Sequence, residues 1–189
     1  MKQSLSCLCF IGLLLLTGCG SPAIGPNEAL LDKPNPAARL IQNVPFFPQE
    51  DYYCGPSALA GLLTYYGHPT TQTEIADEIF LPRHLGTLSM DLLLYSQAKG
   101  LNTKVVEGSL DLLKSEIEQR HPVVVFLNLG LKVFPKGHFI TVIGYDDLNQ
   151  TIIAHSGRQS DQQIPYRRFL PAWEKTGFWM LLVNQKQSA

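Results

Sequence analysis

The chain is short of the features that mark several large functional classes. Lysine and arginine together number 15 against 16 acidic residues. A formal net charge of −1 offers no basic face for nucleic acid, and that partner class is excluded. No glycine-rich phosphate loop occurs. The five histidines, His68, His84, His121, His138 and His155, fall in no i,i+4 or Cys-x-x-Cys pattern, so neither a metal nor another cofactor is expected. Internal repeats and low-complexity runs are absent. The long apolar stretch, Leu5 to Leu16, covers about a dozen residues where a membrane-spanning helix needs ~20. Cysteine is scarce, and three of the four lie within the first 19 residues.

What is present suits one globular domain with an appendage. At 189 residues and 45% hydrophobic content, the chain can bury a core. The N-terminus reads as a processing segment, with Lys2 as its positive region and Leu5 to Leu16 as its apolar region. Leu16-Thr17-Gly18-Cys19 then resembles the lipobox of bacterial lipoproteins. That resemblance implies cleavage before Cys19 and a diacylglycerol anchor on its thiol, at ~0.8 kcal/mol per buried methylene. Residues 1–18 are thus expected to be a signal peptide, and 19–40, rich in Pro, Gly and Asn, a lipidated cysteine and flexible tether. Residues 41–189 form the folded domain. Gly20 and Ser21 lack the aspartate associated with inner-membrane retention, so an outer-membrane anchor facing the periplasm is expected. Cleavage takes Cys7 and Cys9 and blocks Cys19, which leaves Cys54 as the free thiol. Loss of Lys2 moves the formal charge to −2. An unpaired cysteine in an exported domain is either a small buried hydrophobe or a working nucleophile.

Along the domain, Ile41 to Phe47 reads as an edge strand or extended lead-in between prolines. Gly55 and Pro56 start a helix in which Ala58, Leu59, Leu62, Leu63 and Tyr66 recur at helical spacing up to Gly67. Thr71 and Glu74 have capping-box spacing and open a second helix. Met90, Leu93, Leu94 and Ala98 mark one face of a third, and Leu110, Leu113 and Ile117 mark a fourth from Ser109 to Arg120. Thereafter the pattern is of strands: Thr103–Val106, Val123–Asn128, Phe139–Tyr145, Thr151–Ala154 and Phe178–Val183. Asp146 to Gln150 reads as a tight turn between two of them, with Asp146 and Asp147 as turn residues. Pro165 to Trp173 is expected to be a short helix. Helices first and strands second predict an α+β fold.

The chemistry centres on Gln49-Glu50-Asp51-Tyr52-Tyr53-Cys54. A thiol at a helix start sits at the positive end of the helix dipole, which favours thiolate. A cysteine nucleophile also needs a base and donors aimed at the developing oxyanion. His138, at the head of a strand behind Gly137, can serve as the base. Gln49, five residues before Cys54, can set its side-chain amide beside the sulfur, with the Cys54 N–H as second donor. Tyr52 and Tyr53 flank the nucleophile and can line a substrate subsite.

Gln49 with Cys54-Gly55-Pro56-Ser57-Ala58-Leu59, then Gly137-His138-Phe139 and Val142-Ile143-Gly144-Tyr145-Asp146, resembles the bacteriocin-processing (double-glycine leader) peptidase family, a branch of the papain-like cysteine peptidases. The resemblance spans about residues 41–185. It implies a helical half bearing the nucleophile, an antiparallel sheet bearing the base and a cleft between them. Gln49 is then the oxyanion residue, Cys54 the nucleophile and His138 the general base. The expected partner is a peptide or protein substrate, besides the lipid bilayer that would hold acylated Cys19. The family usually carries Asp or Asn where this chain has His155, in Ala154-His155-Ser156-Gly157. Three arrangements stay open: His155 orients His138; Ser156 or a backbone carbonyl does so; or turnover is weak. The expected activity is peptide-bond cleavage through a Cys54 thioester, and the alternatives are a peptide-binding lipoprotein or an acyl transferase.

Overall fold

The computed structural model describes residues 37–49, 52–84 and 86–184. The signal peptide, Cys19 and nearly all of the expected tether lie outside the described residues. The elements in chain order are β1 (Ala38–Leu40), α1 (Cys54–Tyr65), α2 (Gln72–Ile79), a 3-10 turn (Pro82–His84), α3 (Ser89–Ala98), β2 (Asn102–Glu107), α4 (Leu110–Glu118), β3 (Val123–Asn128), β4 (Gly137–Asp146), β5 (Thr151–Ser156), β6 (Gln159–Pro165), α5 (Tyr166–Glu174) and β7 (Trp179–Asn184). The architecture is the expected α+β one.

The strands form an antiparallel sheet in the order β2-β7-β3-β4-β5-β6, and β1 also pairs with β4. Side chains along a strand alternate between faces, and three strands share that alternation between two cores. Val123, Val125 and Leu127 of β3, Ile140 and Val142 of β4, and Met180 and Leu182 of β7 enter one core with Leu113 and Ile117 of α4 and Phe169 and Trp173 of α5. Val124, Phe139, Leu181 and Val183 enter the other with Leu59, Leu62 and Leu63 of α1 and Leu92 of α3. Helices therefore cover both faces. This is why Val123–Asn128 reads as a continuous apolar run instead of an alternating one.

Side-chain caps fix the starts of two helices. Thr71 caps α2, accepting the Glu74 N–H at 3.2 Å while the Glu74 carboxylate accepts the Thr71 N–H at 2.8 Å. Ser109 caps α4 through the Leu112 N–H at 3.1 Å. Asp146 Oδ1 accepts the N–H groups of Leu148 and Asn149, closing the β4–β5 turn.

Three details differ from the sequence reading. The inward face of α3 is Leu92, Tyr95 and Ser96, whereas Met90 and Leu94 are more than half exposed. Ser96 sits fully buried because its hydroxyl donates to the Leu92 carbonyl at 2.7 Å. An apolar count alone assigns that core position to the wrong stripe. β6 is a sheet-edge strand whose polar, mostly exposed Gln159–Gln163 run carries no apolar alternation. Residues 41–47 hold no strand: Gln42 and Asn43 form a turn, with Asn43 at φ 62°, and the strand at this end is β1, just before them.

Candidate active site

Cys54 is the first residue of α1. The helix has no side-chain cap and no acid in its first turn, so no first-turn carboxylate competes for its leading amides. Tyr52 enters the helix at φ 66°, a costly conformation for a non-glycine residue, and so sets Cys54 at a sharp corner. Gly55 is wedged in: a Cβ there would lie 3.3 Å from both Leu92 Cδ1 and Thr87 Cβ and 3.4 Å from Phe139 Cδ2. The helix start therefore presses against β4 at the residue after His138. The backbone N–H groups of Phe139, Gly55 and Cys54 all approach the Cys54 sulfur.

Gln49 reaches the same place from the extended segment before α1. Its N–H donates to the Gly157 carbonyl at 2.8 Å, and it lines one cleft with Cys54, Ser57, His155, Ser156 and Gly157. The turn that holds Gln49 also holds the histidine. His138 Nε2 lies 3.0 Å from Ser156 Oγ, on the residue preceding Gly157. Gly157 adopts φ 62°, the left-handed geometry that turns β5 into β6 here.

His155 lies in the cleft wall, but its ring is engaged elsewhere. Its Nε2 donates to the Val44 carbonyl at 3.0 Å, and its Nδ1 accepts the Asp161 N–H at 3.3 Å. The Phe46 ring stands 5.2 Å away, centroid to centroid. On the sheet His155 is opposite Thr141, three residues beyond His138. Of the arrangements left open by the sequence, the structure thus places Ser156 on His138 and ties His155 to the backbone that leads to Gln49.

The electrostatics differ from the resting thiolate that the helix dipole suggests. Burial raises the Cys54 thiol above an ordinary cysteine, and the amides of Phe139, Gly55 and Cys54 recover only part of that. Burial also lowers His138 below an ordinary histidine, assisted by the positive charge of Lys136. Both directions favour the neutral pair, thiol and imidazole, in the free protein.

Two contributors to the site were missed in the sequence. Ser57, one turn after Cys54, donates its hydroxyl to the Gln72 side-chain oxygen, and Gln72 Nε2 donates to the Pro48 carbonyl at 3.0 Å. Gln72 therefore joins α1 to the residue before Gln49. Residues this far apart leave no spacing signal by which sequence could have found them.

No curated protein matches the chain. Among solved structures it is similar to a protein described as a C39-like peptidase from Bacillus anthracis, at 19% identity and a TM-score of 0.66, covering 80% of this chain and 99% of that one. It is also similar to the peptidase domain of Streptococcus ComA, a bifunctional ABC transporter of a quorum-sensing pathway, at 19% identity and a TM-score of 0.63, covering 76% and 100%. A third similar structure is a double-glycine-motif protease from an AMS/PCAT transporter, in complex with its leader peptide, at 20% identity and a TM-score of 0.61, covering 79% and 99%. These likenesses establish the papain-like fold of C39 peptidase domains. The Peptidase_C39-like family model matches residues 41–180, which include Gln49, Cys54, His138 and Ser156, and the chain belongs to that family.

Proposed function

We propose that the protein is a cysteine peptidase in which Cys54 attacks a peptide carbonyl, His138 moves the proton and Gln49 with the Cys54 N–H holds the oxyanion. One observation carries this reading: Cys54 opens α1 in the cleft that Gln49 lines, and its sulfur meets the amide of Phe139, next to His138. With Nε2–H assigned as donor to Ser156, Nδ1 of His138 is the free lone pair. The thiol proton passes to Nδ1 as the S–C bond forms. The tetrahedral intermediate then collapses to a thioester, and the imidazolium protonates the departing amine. Water, deprotonated by the same nitrogen, cleaves the thioester and restores the thiol. Because burial of both groups favours the neutral pair, the base acts during attack and not before it.

In this reading the substrate is a peptide or protein, consistent with the leader peptide bound by the AMS/PCAT protease. Acylated Cys19 would hold the domain at a membrane, the outer one facing the periplasm where the cell has two. The test is a peptide-library cleavage assay in which Cys54→Ala and His138→Ala abolish hydrolysis while iodoacetamide labels Cys54. Hydrolysis unchanged in Cys54→Ala would refute the assignment. The neutral pair and the hydroxyl in place of a carboxylate also favour a second reading, a peptide-binding lipoprotein with little turnover. Saturable peptide binding by both wild type and Cys54→Ala, with no cleavage, would select it.

A further inference from the structure

We infer that the β3–β4 loop, residues 129–136, is a membrane-interface contact that seats its apolar tip in an anionic lipid surface beside the cleft. Leu129, Leu131, Val133 and Phe134 expose 53%, 67%, 78% and 77% of their surfaces, all within six consecutive residues. Scattered exposed apolar side chains are ordinary on a soluble protein, but a cluster this dense marks an interaction surface.

The tip is built, not frayed. Leu129 N–H donates to the Lys136 carbonyl at 2.8 Å. Asn128 Oδ1 accepts the N–H groups of Gly130 and Lys136, both at 2.9 Å, and Lys175 Nζ donates to the Gly130 carbonyl at 3.0 Å. The chain doubles back so tightly that a Cβ on Gly130 would lie 2.3 Å from the Phe134 carbonyl oxygen. A tip already folded in this way loses little conformational entropy on binding.

Charge selects the partner. Lys132 and Lys136 interleave with the apolar residues, and among the described residues neither joins an ion pair. No Asp or Glu occurs from residue 119 to residue 145. Exposed apolar side chains ringed by lysine suit the headgroup and acyl boundary of an anionic bilayer. Among the described residues no helix is long and apolar enough to cross a membrane, so the contact is interfacial. The loop ends at Gly137, one residue before His138, so seating it brings the cleft to the membrane surface.

The test uses the full chain with Phe134→Trp, mixed with vesicles of equal parts phosphatidylethanolamine and phosphatidylglycerol that carry bromine on their acyl chains. At least twofold greater bromine quenching than in the parent protein, which reports only Trp173 and Trp179, is expected. Lys132→Glu with Lys136→Glu in the Phe134→Trp background should return quenching to the parent level. Quenching no greater than the parent's would overturn the inference. So would a several-fold rise in KM for a soluble peptide in Val133→Ser with Phe134→Ser, measured without lipid and unaccompanied by quenching, which would assign the tip to substrate. Quenching needs no hydrolysis, so the peptidase assignment can fail without deciding this result.

Discussion

Ser156 Oγ stands 3.0 Å from His138 Nε2, on the side of the ring opposite the nitrogen assigned as base. A hydroxyl there holds the ring's orientation, but it can donate as well as accept, so it does not fix the tautomer as a carboxylate would, and it offers no negative charge to an imidazolium. Ser156→Ala is therefore expected to lower kcat by roughly ten- to a hundredfold with little change in KM, the scale of a misoriented general base. Ser156→Asp should restore the rate and move the acid limb of the kcat/KM profile to higher pH, because the new carboxylate stabilises protonated His138. In the wild type, burial and Lys136 place that limb below the ordinary histidine value of about 6.5. Full activity in Ser156→Ala alongside collapse in a folded His155→Gln would reverse the roles of these two residues.

Cys54 provides the second pH test. Burial raises its thiol, so the thiolate fraction falls short of that of a free cysteine at every pH up to the shifted midpoint. The iodoacetamide labelling rate should keep climbing beyond the ordinary cysteine value of ~8.5. His138→Ala should change it little, because a neutral imidazole does not hold a thiolate. A labelling plateau reached below neutral pH would instead reveal a resting thiolate and imidazolium.

Cys54 at a helix start and His138 at a strand head were legible because each left a local mark. Gly55 and Pro56 announce a helix start, Gly67 its end, and Gly137-His138 the head of an apolar strand. Gln49 was legible only by its spacing from Cys54. The partner of His138 was not, because choosing between His155 and Ser156 depends on which ring nitrogen meets which backbone group once β5 turns at Gly157. Val44 lies 111 positions before His155, and no periodicity encodes that bond. β6 escaped because an edge strand needs no apolar face, and the α3 face because a self-bonded serine can occupy a core position.

Gln72 carries a prediction about positioning. Its side chain takes the Ser57 hydroxyl on one end and gives a hydrogen bond to the Pro48 carbonyl on the other, bracing the residue before Gln49 against α1. Gln72→Ala removes both bonds, worth about 1 kcal/mol each in net stability. The larger expected effect is on kcat, through a displaced Gln49. A double-mutant cycle checks this: if Gln72 acts through Gln49, Gln72→Ala should cost much less in a Gln49→Ala background than in the wild type. Additive losses in kcat would mean that the bridge stabilises the fold alone.

Gly61 tests how closely α1 must approach the Gln49 segment. In an exposed helix interior Gly→Ala gains about 1 kcal/mol, since alanine loses less backbone freedom. Gly61 is buried on the α1 face where a Cβ would lie 2.5 Å from the Pro45 carbonyl oxygen, which no flexible side chain can relieve. Overpacking of this kind costs about 1–3 kcal/mol, so the clash should exceed the propensity gain and Gly61→Ala should lower Tm. The strain falls on a short segment pinned at both ends, by His155 at Val44 and by Gly157 at Gln49. Either the helix withdraws and carries Cys54 with it, or the segment shifts and carries Gln49. Both outcomes separate Cys54 from Gln49, so under the proposed mechanism kcat should fall in the folded fraction as well. A variant with higher Tm and unchanged kcat would show that Pro45 yields freely and that the close approach is incidental to the site.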